Sequence, residues 1–228
     1  MWRLKMKRPY MICHMMSSVD GRIDCAMTEK LPGDEEYYSS LDSLSCPTRI
    51  SGRVTAEMEM AEGKFEKRNP PIPYGKEGWS KKCDSDGYEV IIDTYGTLIW
   101  GESERPLIIV MSEKADEEYL SYLDGRNISW IVSGRDKVDL SRAMEILFGV
   151  FGVERAAVVG GGRINAGFLR EGLLDEVSIL IGAGIDGREG ETSVFDGLGK
   201  NSSVVPLSLN SVRSFESGAV WIRYSVNR

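Results

Sequence analysis

Three short clusters in this chain carry groups able to hold a phosphorylated ligand. Gly160-Gly161-Gly162 falls between an apolar run of strand length and a segment of helical period. Bare backbone N–H groups and the start of a helix can receive a pyrophosphate at such a place, and a Cβ there would block close approach. The same triplet also serves a turn that needs only positive φ. It is not the G-x-G-x-x-G fingerprint, because Asn165 stands where the third glycine belongs and the triplet follows a late strand. The second cluster is Ser51-Gly52-Arg53-Val54-Thr55, which opens the acidic run AEMEMAE. Arg53 offers a planar fork suited to a phosphate monoester, and Thr55 a hydroxyl and a helix-end N–H. An arginine paired with an acidic helix is the plainer reading of that pattern. The third is Ser17-Ser18-Val19-Asp20-Gly21, where a buried strand meets an Asp-Gly turn. His14 lies in that strand as a hydrogen-bonded core or cleft histidine, or as a donor of a proton.

These residues need a scaffold, and the second half of the chain supplies its rhythm. RPLIIVM (105–111) reads as a strand, and Ser112 as the N-cap of a helix EKADEEYLSYLD that stops at Gly125. ISWIVS (128–133) is the next strand. Asp139 caps LSRAMEILFGVF, with its Leu140, Met144, Leu147 and Phe151 stripe, and Gly152 ends it. Residues 156–159 form another strand, 163–171 a helix closed by Gly172, and DEVSILIG (175–182) a further strand. Strands alternating with helices predict a largely parallel, helix-covered sheet. Two regions break the rhythm. Residues 62–87 read as a charged, proline-bearing surface excursion, or a lid, before the hairpin-like YEVIIDTYGTLIW. After Asp196, SSVVPLSL and AVWIRYSV read as antiparallel strands extending the same sheet at one edge.

The chain has 228 residues, 42 % hydrophobic and 28 % charged, enough for a core of its own, and no small-residue linker divides it. It is expected to form one domain over 1–228. A net charge of −7 leaves no phosphate-backbone footprint, so no nucleic-acid partner is expected. Four scattered cysteines and one histidine predict no metal site. The apolar stretch after the basic start is too short for a membrane span, and no export signal with unpaired cysteines points to the cytoplasm.

Taken in order, RPYMICHMMSSVDGRI, ISGRVTAEM and VVGGGRINAGFLREGLLDEVSILIGAGIDG resemble the C-terminal reductase domain of the bifunctional riboflavin-biosynthesis deaminase-reductase. The longest motif is GGG-x-I/L-x(3)-F-L-x(2)-G-L-x-D-E. The resemblance implies a dihydrofolate reductase-like, three-layer α/β/α fold with a mixed, mostly parallel sheet and a C-terminal antiparallel edge hairpin. It implies NADPH as cofactor, a small-molecule substrate, and a homodimer. The expected reaction is hydride transfer to the ribose C1′ of a ribosylamino-pyrimidine phosphate, opening the sugar.

Carried over by position, Gly160, Gly161 and Gly162 cradle the cofactor pyrophosphate, with Arg163 and Ile164 donating backbone N–H groups. Gly52, Arg53 and Thr55 hold the 2′-phosphate side, and Ser112 and Ser133 line the adenosine side. Ser18 and Asp20 face substrate or nicotinamide, and His14 and Asp20 are the candidate catalytic groups. The chain departs from the family at His14, where lysine is usual, at Val159, where glutamate is usual, and in the helix GDEEYYSSLDSL, where arginines are usual. Pro32, Asp34, Tyr37 and Tyr38 in that helix open a second reading, a dihydrofolate reductase-like reduction of a pterin gripped by Asp34, although Asp34 equally reads as a helix N-cap. A third reading is an NADPH-binding protein without catalysis.

Overall fold

The computed structural model describes residues 7–66 and 69–227. The basic start before Lys7 and positions 67 and 68 of the excursion lie outside the described residues. In chain order the elements are β1 (Tyr10–Ser17), α1 (Cys25–Thr28), α2 (Asp34–Ser43), β2 (Thr48–Gly52), α3 (Arg53–Glu59), β3 (Ala61–Lys64), β4 (Gly78–Ser80), β5 (Glu89–Ile92) and β6 (Leu98–Trp100). They continue as β7 (Leu107–Met111), α4 (Glu117–Gly125), β8 (Ser129–Val132), α5 (Leu140–Gly149), β9 (Arg155–Val158), α6 (Gly162–Arg170), β10 (Glu176–Ile181), β11 (Leu207–Ser214) and β12 (Val220–Val226). Contacts divide the chain into two units. Among the described residues, one is Pro47–Ala156 with residues 7–9, and the other joins Tyr10–Cys46 to residues 157–227.

In the first unit the strand order is β2-β5-β7-β8-β4. The first four run parallel and β4 is antiparallel at the edge. Runs such as LIIVM bury residues of both parities, so both faces of the sheet are covered, as a parallel sheet built from crossover helices requires. One face packs Ile91, Ile109, Met111, Trp130 and Val132 against Tyr119, Leu120 and Leu123 of α4. In the second unit the order is β11-β12-β10-β1-β9. Here β1 is parallel to β10, while β10–β12 and β12–β11 are antiparallel, giving the expected edge hairpin. Together the pairings make a mixed, mostly parallel α/β sheet fold.

Four expectations change. Ser112 does not cap α4: the helix begins at Glu117 and Asp116 caps it, its carboxylate accepting from Glu118 N at 2.9 Å, while Ser112 Oγ donates to Thr94 O at 2.9 Å and accepts from Lys114 N at 3.3 Å in the turn before. YEVIIDTYGTLIW is not a hairpin. Asp93 takes both the amide and the hydroxyl of Thr97, turning the chain so that β6 pairs with β3 rather than β5. The 62–87 segment is more than surface excursion, since it contributes most of β3 and all of β4 and sets Tyr74 edge-on against Trp130, 5.7 Å between ring centroids. Finally, the first C-terminal strand lies at 207–214, beyond Pro206, which lacks the N–H a ladder needs.

The hairpin keeps one feature that pairing alone does not explain. A bulge at Asn210, between Leu209 and Ser211, preserves the alternation so that Leu207, Leu209 and Val212 share a face with Val226, Tyr224 and Ile222. Leu209 is 59 % exposed and Val212 56 %, an uncovered apolar face.

Candidate functional site

In the first unit, parallel register brings the carboxyl ends of neighbouring strands level: Gly52 pairs with Ile92, and Met111 with Val132. Gly52, Asp93, Ser112 and Ser133 therefore end adjacent strands on one edge, the edge where open α/β sheets take ligands. The two serines are fully buried and already bonded, Ser112 Oγ to Thr94 O at 2.9 Å and Ser133 Oγ to Asp139 O at 3.0 Å. Their hydroxyls hold loops in place, and no donor hydrogen is left for a ligand. Gly52 is the N-cap of α3, and Arg53 and Thr55 lie in its first turn. Arg53 pairs with Glu57 one turn on, and Lys64 Nζ reaches the other carboxylate oxygen of Glu57 at 2.9 Å. Lys64, then Arg53, hold the Glu57 carboxyl below its ordinary range, so it stays charged and a phosphate must compete with it for Arg53.

In the second unit the triplet sits where the sequence put it, between β9 and α6. Gly160 has φ +143°, a left-handed conformation that favours glycine, and Gly161 is the N-cap of α6. Ile164 corrects the sequence reading: its amide bonds Gly161 O at 2.9 Å and is not available to a ligand. Among the described residues no acceptor is recorded for the amides of Gly161, Gly162 and Arg163, the first-turn donors a helix leaves open. Gly162 is in contact elsewhere, since a Cβ on it would lie 2.2 Å from Ser193 O.

The two candidate catalytic groups are both engaged within the protein. His14 is fully buried and stacked on Tyr37, ring centroids 4.8 Å apart. Its Nδ1 lies 2.9 Å from Ser178 Oγ and its Nε2 3.2 Å from Ser40 Oγ and 3.3 Å from Tyr37 O. Ser40 Oγ donates to Tyr37 O at 2.9 Å, so Nε2 faces two acceptors and carries the imidazole hydrogen; Ser178, which accepts from Trp221 Nε1 at 2.8 Å, gives its own hydrogen to Nδ1. The ring is thus a buried connector of β1, β10 and α2. Replacing His14 with Phe is expected to lower stability by about 1–3 kcal/mol, because buried hydroxyls lose their partner. Turnover per folded molecule should be unchanged; a collapse of kcat at retained Tm would restore His14 to catalysis.

Asp20 accepts from Ser18 Oγ and Asp186 N on one oxygen, at 2.7 and 3.0 Å, and from Gly187 N on the other, at 3.0 Å. Ser18 first, and then the two amides, hold its carboxyl far below the usual carboxylate range, so it is ionised at neutral pH and has no proton to give. Ser18 is itself buried, its hydroxyl donating to Asp20 and accepting from Arg22 N at 3.0 Å. Asp34 is exposed at the first position of α2, whose N-cap is Gly33 and not Asp34. Tyr37, in the pterin reading a gripping aromatic, stacks on His14 instead. Sequence reasoning missed Asp186, Asn165 and the 191–196 segment; only the glycine-rich run GAGIDGREGETS marked a loop there. No group of three or more His, Cys, Asp or Glu able to hold a metal occurs among the described residues, and no helix there is long and apolar enough to cross a membrane.

Strand order, parallel pairing and a glycine turn opening α6 define a dihydrofolate reductase-like α/β protein. A solved pyrimidine reductase-like protein from Corynebacterium diphtheriae shares the fold, with a TM-score of 0.72 at 17 % identity over 96 % of this chain and 92 % of that one. The chain belongs to the RibD C-terminal domain family, which it matches over residues 9–221. It is similar to the 2,5-diamino-6-ribosylamino-4(3H)-pyrimidinone 5′-phosphate reductase of Methanothermobacter thermautotrophicus, 34 % identical over 115 residues, 50 % of this chain and 52 % of the relative. That match spans about half of the relative's length. The protein of the same name from Aquifex aeolicus is 26 % identical over 189 residues, 77 % of each chain.

Proposed function

We propose that the protein is an NADPH-dependent reductase that delivers hydride to the ribose C1′ of a ribosylamino-pyrimidine phosphate. Membership of a family whose similar members are named pyrimidinone phosphate reductases carries this reading, and the open amides at the start of α6 support it. Those amides fit a pyrophosphate: they stand at the start of α6, where the helix favours negative charge. When bound, NADPH supplies the hydride. The protein's own work is then to bind and orient, which agrees with His14 and Asp20 being occupied internally. Arg53 reads the 2′-phosphate after giving up Glu57.

The first test is oxidation of NADPH on addition of the pyrimidine substrate; binding without turnover on pyrimidine, pterin or simple carbonyl substrates would favour the non-catalytic reading. Arg53→Ala should weaken NADPH binding by about tenfold or more and leave NADH nearly unaffected, because only NADPH carries the extra phosphate. Equal affinity of the unaltered protein for both cofactors removes Arg53 from the assignment.

The apolar face of the β11–β12 hairpin is proposed to be covered by a second copy of the chain. Light scattering should give the mass of a homodimer, and Leu209→Glu should give a monomer. A wild-type monomer at micromolar concentration rejects the pairing.

A further inference from the structure

The segment between β10 and β11 has no regular element of its own, yet its position is closely specified from two sides. On one side it is tied to the loop after β1. Val19 N donates to Gly184 O at 2.8 Å, Ile23 N to Thr192 O at 3.1 Å, and Val194 N to Gly21 O at 3.2 Å. Arg22 and Ser193 form an antiparallel bridge, and the Arg22 guanidinium donates to Glu191 O. On the other side the segment lies on the amino end of α6. Asp196 N donates to Gly162 O at 3.1 Å, Asn165 Nδ2 donates to Val194 O at 2.7 Å, and Ser193 O fills the space a side chain on Gly162 would need. At the near end of this strap Asp20 takes the amides of Asp186 and Gly187, and beside them Arg188 Nη2 donates to Asp24 at 2.6 Å.

We propose that Asp20 is a positioning residue, which by anchoring Asp186 and Gly187 sets the strap through Asp196 against the first turn of α6 and so shapes the cradle that receives the cofactor pyrophosphate. A carboxylate suits this task because it offers two oxygens, each with room for more than one donor, and its charge strengthens every bond it accepts. An aspartate is short enough to be held by Ser18 within its own turn while reaching the amides of a distant loop. This role rests on the cofactor reading above and deepens it: Asp20 acts through the strap and transfers no proton.

The test compares wild type with Asp20→Asn, which keeps shape and one acceptor oxygen, and with Asp20→Ala, by amide hydrogen exchange and by cofactor kinetics on the full chain. In Asp20→Ala, exchange at Val194 and Asp196 should rise about tenfold while β10 stays protected, and the Kd and KM for NADPH should rise about tenfold at unchanged kcat. Asp20→Asn should fall between. Loss of kcat at unchanged KM identifies a proton donor and overturns the proposal. So does exchange that rises at Asp186 and Gly187 but not at Val194 and Asp196. If the unaltered protein binds no NADPH, the cofactor reading fails by itself, and exchange at Val194 and Asp196 then decides whether Asp20 sets the strap.

Discussion

Replacing Gly162 with alanine is expected to reduce NADPH affinity by about a hundredfold and to lower stability by about 1–3 kcal/mol. The added Cβ would meet Ser193 O at 2.2 Å, Thr192 Cγ2 at 2.8 Å and Asp196 Cβ at 3.2 Å. The first of these is backbone and cannot swing aside as a long side chain would. Either α6 or the 192–196 segment must therefore shift, breaking the Asp196 N to Gly162 O bond of 3.1 Å. That movement displaces the open amides of the helix start, so binding suffers more than folding does. Gly149→Ala is the matched control: its Cβ meets nothing within 4 Å. It should be neutral or stabilising by up to about 1 kcal/mol. Cofactor titration and urea unfolding of both variants make the comparison, and a Gly162→Ala protein with wild-type affinity would show that the triplet holds no ligand.

The second large effect concerns Glu89, at the start of β5. Burial pushes its carboxyl up to about 7, against the opposing pull of Arg49 and Arg105. The folded state thus holds a proton that the unfolded chain, titrating near 4.5, has already released. Such a raised carboxyl contributes stability that is fully present below pH 4.5 and is lost as pH climbs through 7. At 1.36 kcal/mol per pH unit over that window, the loss is about 3 kcal/mol. Glu89→Gln mimics the protonated form at every pH. It should match wild type at pH 4 and exceed it by about 3 kcal/mol at pH 8. Parallel pH profiles for the two proteins in urea unfolding would show that Glu89 is solvated and ordinary.

Local signals served sequence reading well where they are decided within a few residues. Asp139 does cap α5, accepting from Arg142 N at 2.9 Å, and the apolar runs at 107–111, 129–132 and 176–181 are strands. The glycine turn is legible because strand, triplet and helix adjoin in sequence. What failed was decided at a distance. Ser112 is followed by a plausible first turn, but Thr94 O lies closer than any helix amide that could use its hydroxyl. Residues 78–80 become a strand only because β8 presents an open edge. The environment of His14 is not legible in the sequence, since its partner Ser178 lies 164 residues away. Asp20 is legible as a turn carboxylate, but its partners are not: a carboxylate in a turn looks the same whether the amides it binds belong to its own loop or to one 166 residues on.

That distance also bears on how the protein is made. The amide of Met11 on β1 finds its acceptor, Asp175, 164 residues later. A ribosome adding about 5–20 residues per second needs roughly ten to thirty seconds to deliver that partner. Through that interval the nascent MICHMM segment has no β10 to lie beside, and only the nearby Leu41, Leu44 and Cys46 are at hand to cover Ile12.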